Sequence, residues 1–204
     1  GRTRDRAAFR PLESAFTRFG SEMPHVFLIA FLELGDPRAL PLVRSLPHSA
    51  DHDRLSPVEL TMAALGDRPS VRKCLMLLRA GRSGPAATAV QQALARCPEA
   101  ALPEDLVADV KQPRGRLLTA QALLLRSDER SAEALGRLTA AMSPEARASF
   151  AVEAVLRPNG AALPLLRAEF RRERAPLRKT ELASAVLVAH QSRRTGRCFI
   201  APDQ

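Results

Sequence analysis

Histidine, cysteine and serine are the residues whose placement in this chain could do chemistry, and spacing decides what each can offer. His48 and His52 stand four apart with Asp51 and Asp53 beside them, a group of nitrogen and oxygen donors of the kind a divalent cation uses. They lie between Pro47 and Ser56-Pro57, in a segment that reads as a loop, where four-residue spacing does not put two side chains on one face as it does on a helix. No third ligand suggests itself, and the segment reads as a solvated turn. Cys74, Cys97 and Cys198 form no CxxC and leave an odd thiol over, which indicates neither a zinc site nor a disulfide framework and fits a reducing compartment. Cys74 and Cys97 fall among apolar neighbours with no His or Asp to lower their pKa, so they read as small core residues. His25 and His190 read as helix-end or surface residues. No glycine-rich elbow gathers Ser, His and Asp, and no phosphate loop is present. These patterns nominate no catalytic residue, no metal ligand and no cofactor.

The elements that would position any site come next. The chain has 204 residues, is 46% apolar and carries a formal charge of +9, enough apolar content for one good core or a row of small stacked units and too much for disorder. Its longest apolar run, Val26 to Leu32, is far shorter than the roughly 20 residues of a membrane span. No signal-peptide pattern opens the sequence, and a cytoplasmic chain without a membrane segment is expected. There is no Trp and no Tyr beside eight Phe, so the amphipathic rings that dominate binding hot spots and stack on bases are missing. Binding must rest on arginine and aliphatic groups.

A repeat of about thirty-one residues runs along the chain. Three segments align: Ala30 to Pro47, Ala63 to Ala80 and Ala154 to Phe170. Each holds an apolar helix end, a short polar turn and a second apolar helix. The leucine closing the first helix recurs at Leu34, Leu65, Leu125, Leu156 and Leu187, with Leu94 in the gap. These leucines are expected to occupy equivalent buried positions, at which truncation to Ala costs about 2 to 5 kcal/mol. In the first unit Gly35 ends a helix from His25 to Leu34, Asp36 caps the next and Pro37 suits its first turn. In the second, Ser56-Pro57-Val58-Glu59 reads as a capping box, and Leu65-Gly66-Asp67 closes before Pro69. The third and fourth start after Gly84-Pro85 and Arg114-Gly115; the fifth opens at Ser143-Pro144-Glu145 and turns at Arg157-Pro158-Asn159-Gly160. The third pair's second helix is expected, shifted or shortened, between Ala101 and Val110, because Pro103 intrudes.

β-Branched residues are scarce beside Leu and Ala and show no period of two, so the class is all-α. Phe9, Leu12, Phe16 and Phe19 form an amphipathic stripe ending near Gly20. The organisation expected is an N-terminal capping helix over residues 1–22, a repeat array over 23–192 and a C-terminal tail over 193–204.

The string Leu34-Gly35-Asp36-Pro37-Arg38-Ala39-Leu40-Pro41-Leu42 resembles the short bacterial HEAT repeat, also called the phycobilisome-lyase type. The likeness is close in the first two pairs, looser afterwards, and extends as a pattern over most of the chain. It implies a right-handed α-solenoid of about six helical pairs, a scaffold that presents a long concave surface built from the second helices. Repeat consensus specifies fold and not function. The His-Glu dipeptides of the HEAT-repeat deoxyhypusine hydroxylases and the aromatic cage of the HEAT-like DNA glycosylases are absent. A lyase-type enzyme subunit is implied by the repeat alone, without a residue to carry the reaction. Tetratricopeptide repeats are the nearest other architecture, lacking here their thirty-four-residue spacing and aromatic positions.

Charge locates the candidate surface. No acidic residue lies between Asp67 and Glu99 or between Asp109 and Asp128, while Arg and Lys recur in both stretches. Arg167, Arg171, Arg174 and Arg178 follow helical spacing opposite Leu163, Leu166 and Phe170, with Pro176 a candidate end of the helix before Arg178. With second helices lining the concave side, Arg72, Arg79, Arg137, Arg167, Arg171 and Arg174 are the candidate partner-binding residues. The guanidinium fork suits carboxylates and phosphates. The expected partner is another protein with an acidic segment, with nucleic acid as the alternative; oligomeric state is left open.

Overall fold

The computed structural model describes residues 6–47, 55–81, 84–102, 110, 112–126, 128–156 and 162–195. The His48/His52 loop, the interior of the segment between Ala101 and Val110, the turn at Arg157 to Gly160, Cys198 and the tail beyond Thr195 lie outside these. Among the described residues all regular structure is helical: α1 (Phe9–Phe19), α2 (Pro24–Leu34), α3 (Leu40–Arg44), α4 (Pro57–Ala64), α5 (Arg68–Arg79), α6 (Pro85–Arg96), α7 (Pro113–Leu124), α8 (Glu129–Ala140), α9 (Pro144–Leu156), α10 (Leu163–Arg172) and α11 (Pro176–Thr195), with short 3-10 turns at Arg6–Ala8, Pro37–Ala39 and Glu99–Ala101. The chain forms two compact units, Gly1–Leu77 with Ser83–Glu104, and Leu78–Arg82 with Asp105–Gln204.

Local chemistry sets the helix ends of the first unit. Gly35 stops α2 in the left-handed conformation at φ 62°, which a residue without Cβ adopts at little cost. Asp36 then accepts the Arg38 N–H at 3.0 Å and starts the next turn. Ser56 and Glu59 close the expected capping box on α4, with the Ser56 N–H donating to Glu59 Oε2 at 2.8 Å. First helices stack on first helices, α2 on α4 and α4 on α6, while α1 packs on α2. Phe16 meets the Phe27 ring edge-on at 5.3 Å and the Phe31 ring at 5.5 Å; Val43, Val58, Met62 and Leu65 complete this core. Each large side chain so buried contributes about 1.5–3 kcal/mol.

The second unit repeats the scheme. Helix α9 packs on α11 and α8 on α10, α7 packs on α8, and α10 touches both α9 and α11. Gln121 on α7 donates to Glu153 on α9 at 2.9 Å. Thus α7, α9 and α11 form one layer and α8 and α10 the other. Asp128 caps α8 by accepting the Ser131 N–H at 2.9 Å. The buried Arg126 donates from Nε to Asp128 and to Ser131 Oγ, both at 2.8 Å.

The leucine register requires a correction. Leu65 is buried and Leu34 and Leu125 are half-buried, but Leu156 and Leu187 are 71% and 70% exposed. The buried positions that recur every thirty-one residues are Phe27, Val58, Ala120, Ala151 and Leu182, with half-buried Ala89 in the one double step. A second set, Phe31, Met62, Ala93 and Leu124, keeps the same interval. The step from Leu65 to Leu125 falls two residues short of two such intervals, and two residues turn a helix by about 200°. Leu156 and Leu187 each stand two residues past a buried alanine, Ala154 and Ala185, and so face away from the core, whereas Leu94 is buried.

Other boundaries also differ from expectation. Helix α7 begins at Pro113, so Gly115 lies within its first turn rather than before it. Helix α11 continues to Thr195, past the expected start of the tail. Helix α10 stops at Arg172 and Glu173 is extended, which removes Arg174 and Arg178 from the Arg167–Arg171 stripe.

Candidate partner-binding surface

Helix α10 is the element on which the expected basic stripe is best defined. Leu163, Leu165 and Leu166 are buried, which turns Pro164, Arg167 and Arg171 to solvent. Phe170 is half-buried, with the Lys179 ammonium 5.3 Å from its ring centre. The helix ends because Glu173 folds back on the chain that follows. Its Oε1 accepts the N–H groups of Arg174 and Ala175 at 2.8 and 2.9 Å. Those backbone bonds, Ala175 first, hold the Glu173 carboxyl below the usual carboxylate range, with Arg178 and Lys179 adding to them against a small opposing effect of burial.

Two carboxylates sort the surrounding arginines. Glu169 takes Arg147 from α9 at 3.6 Å and Arg172 from its own helix at 3.2 Å. Glu173 takes Arg178 at 3.4 Å. Arg167, Arg171 and Arg174 are exposed and make no ion pair among the described residues. Three cations are thus matched within the fold, and Arg167, Arg171 and Arg174 have no carboxylate paired to them among the described residues.

The remaining candidates sit elsewhere. Arg137 is exposed in the last turn of α8, one and two turns beyond the exposed Glu133 and Glu129, so its face is of mixed sign. Arg79 is half-buried at the end of α5, and its backbone lies against Gly115 of α7. Arg72 is exposed on α5 in the first unit, one turn before exposed Met76. Of the six, Arg167 and Arg171 share the exposed side of α10, and Arg174 is exposed just past its end.

Sequence reasoning missed a cleft in the first unit, lined by Arg44, Glu59, Met62, Asp67, Ser70 and Lys73. Arg44 pairs with Asp67, and Lys73 Nζ lies 2.7 Å from Glu59. Burial opposes ionisation of both carboxyls. For Glu59 the Lys73 hydrogen bond and Ser56 outweigh it, and for Asp67 the Arg44 and Ser70 hydrogen bonds do so, so both lie below the usual range. With both charge pairs closed and both acids capping helices, the cleft's polar groups hold α3, α4 and α5 together. The signal was the thirty-one-residue step from Asp36 to Asp67, which marks a cap but not its cross-helix partner.

Cys74 and Cys97 are both buried, and the Cys97 thiol donates to the Pro98 carbonyl at 3.4 Å. Burial, with a smaller effect from Cys97, pushes the Cys74 thiol up to about 12, far from the range of a nucleophile at neutral pH. Among the described residues no helix is long and apolar enough to cross a membrane. Among the described residues all regular structure is helical, and α8 and α10 of the second unit present exposed charged side chains. Comparison with family models, with curated proteins and with solved structures finds no match to this chain.

Proposed function

We propose that this chain is a non-catalytic binding scaffold, an α-solenoid of short bacterial-type HEAT-like helical pairs that takes an acidic segment of a partner protein on the arginines at the end of α10. The solenoid reading is supported by burial that recurs every thirty-one residues and by first helices that pack on first helices in the first unit. The binding reading rests on one observation: Glu169 and Glu173 absorb Arg147, Arg172 and Arg178, whereas Arg167, Arg171 and Arg174 have no acidic neighbour paired to them among the described residues. Four residues of helix place Arg167 and Arg171 about 6 Å apart along the axis. Carboxylates at similar spacing on an acidic segment can each accept a guanidinium fork. Two buried thiols with no disulfide between them suit a reducing cytoplasm.

The test is fluorescence anisotropy of the whole chain with a labelled Glu-rich peptide and, separately, a labelled single-stranded DNA of equal charge, over a range of salt. Tighter binding of the peptide, weakening as salt rises, and loss of binding in Arg167→Glu with Arg171→Glu support the reading. Thermal stability of that double variant should change by only about 0.5 kcal/mol, as for exposed positions. Tighter binding of the DNA, with a steep salt slope, replaces it with a nucleic-acid reading; normal peptide binding by the double variant rejects the site.

A further inference from the structure

We propose that the outer face of the α7–α9–α11 layer in the second unit is the contact surface for a second copy of this chain, paired antiparallel through α9 about Val152. The residues that point to it are the ones the leucine register misplaced. After Glu145, the exposed residues of α9 are Ala146, Ala148, Ser149, Val152 and Leu156. Its two later charged side chains are half-buried and engaged, Arg147 with Glu169 and Glu153 with Gln121. Leu187 and Ser184 on α11 and Leu117 on α7 are exposed as well. The opposite layer presents Glu129, Glu133 and Arg137 on α8 and Arg167, Arg171 and Arg172 on α10. Past Glu145 the exposed side of α9 is therefore aliphatic and small, the composition of an interface core, while α7 and α11 also expose charged residues such as Arg114, Lys179 and Glu181.

Charge and size both favour a like copy as the occupant. A chain of formal charge +9 repels its copies through its charged surfaces, and this face carries no such charge at its centre. Ala148, Val152 and Leu156 form a ridge at intervals of four, graded from small to large, with Val152 47% exposed and Leu156 71%. When two α9 helices cross antiparallel at Val152, Leu156 of each copy lies over Ala148 of the other, as ridge-and-groove packing in a two-fold contact requires. Met23, Val26 and Ile29 form another exposed apolar stripe, on α2 and its cap, but without this gradation.

Size sets the expected strength. Three helices about 9 Å apart and the thirteen residues of α9, about 20 Å long, give a face of about 500 Å². That is below the roughly 800 Å² per partner of a standard interface, so a reversible dimer with a dissociation constant in the micromolar range is expected.

Sedimentation equilibrium of the whole chain from about 1 to 300 μM, a range that brackets such an affinity, tests it. A dimer should form and persist at high salt, because its contact is uncharged. Ala148→Glu or Leu156→Lys alone should leave a monomer with unchanged helix content and melting. The two changes combined in one chain should restore the dimer, since each introduced carboxylate then faces the introduced ammonium of the other copy. Arg167→Glu with Arg171→Glu should leave the dimer intact, which separates this surface from the acidic-partner site. A monomer at every concentration, or a dimer that both single variants leave unchanged, overturns the proposal. Failure of the combined variant to restore the dimer overturns the antiparallel pairing.

Discussion

Asp36 and Asp67, thirty-one residues apart, do the same work at the start of alternate helical segments, before α3 and before α5 with α4 between them, each accepting a backbone N–H and each closed by an arginine. Asp36 takes Arg38 twice over, through its N–H and its guanidinium. Asp67 accepts the Ser70 N–H at 3.1 Å and the Ser70 hydroxyl at 2.7 Å on one oxygen and takes Arg44 on the other. The repeat is thus a repeat of caps as well as of apolar positions.

The Asp67 cap makes stability fall in acid. The folded-state pKa values of Asp67, Glu59 and Asp128 all lie below their ordinary values, partners outweighing burial in each. Their contribution is therefore complete above the unfolded carboxylate range of about 4 and is lost as pH falls through the folded values. Asp67→Ala should cost about 1–2 kcal/mol at pH 7, and the gap from wild type should shrink as the pH is lowered below about 4. Urea unfolding at several pH values measures both; a gap that stays constant into acid contradicts the ion-pair contribution.

Core truncation distinguishes the two registers. Leu124→Ala, at a buried position of α7, should lose about 2–5 kcal/mol. Leu156→Ala, at the exposed end of α9, should stay within about 0.5 kcal/mol. Chemical denaturation of the two variants, at a concentration where the chain is monomeric, decides it. Equal losses would return Leu156 to the core.

Gly115 should resist the substitution that normally helps a helix. Ala in place of Gly inside an exposed helix gains about 1 kcal/mol. A Cβ at Gly115, however, would overlap the Arg79 carbonyl, with the carbonyl carbon at 2.9 Å. Both are backbone atoms, and the helix ends must move apart to admit it. Gly115→Ala should therefore destabilise by about 1–3 kcal/mol, in the range of overpacked sites, whereas Gly136→Ala, where a Cβ meets nothing within 4 Å, should not. A pair of thermal melts makes the comparison.

Cys74 should be a reporter of unfolding. Its thiol is buried and pushed up to about 12, so the thiolate that reacts with alkylating agents is scarce at neutral pH and shielded when present. Iodoacetamide labelling of Cys74, followed by peptide mass spectrometry, should proceed at the rate of opening of the first unit and accelerate in urea. Fast labelling in native buffer would place Cys74 outside the core.

Helix starts and stops were legible in the sequence because each is set by chemistry within a few residues of itself. Gly35 and Gly66 take positive φ, Ser56 and Glu59 bond each other across one turn, and Pro85 and Pro144 open helices whose first N–H groups have no intrahelical partner. The all-helical class and the thirty-one-residue interval follow from the same local rules applied along the chain. Tertiary structure alone decided which side of each helix is buried in the second unit, because a two-residue error in register rotates a face by about 200° and no local signal opposes it. The end of α10 is local as well, since Glu173 breaks the helix by accepting the N–H groups of Arg174 and Ala175 three residues before Pro176 begins the next. Above all the tertiary structure decided which arginines are paired with a carboxylate. Arg147 and Arg167 look alike in sequence, but the fold brings Glu169 of α10 to Arg147 of α9 and leaves Arg167 facing water, because an ion pair depends on distances between helices that the order of residues does not contain.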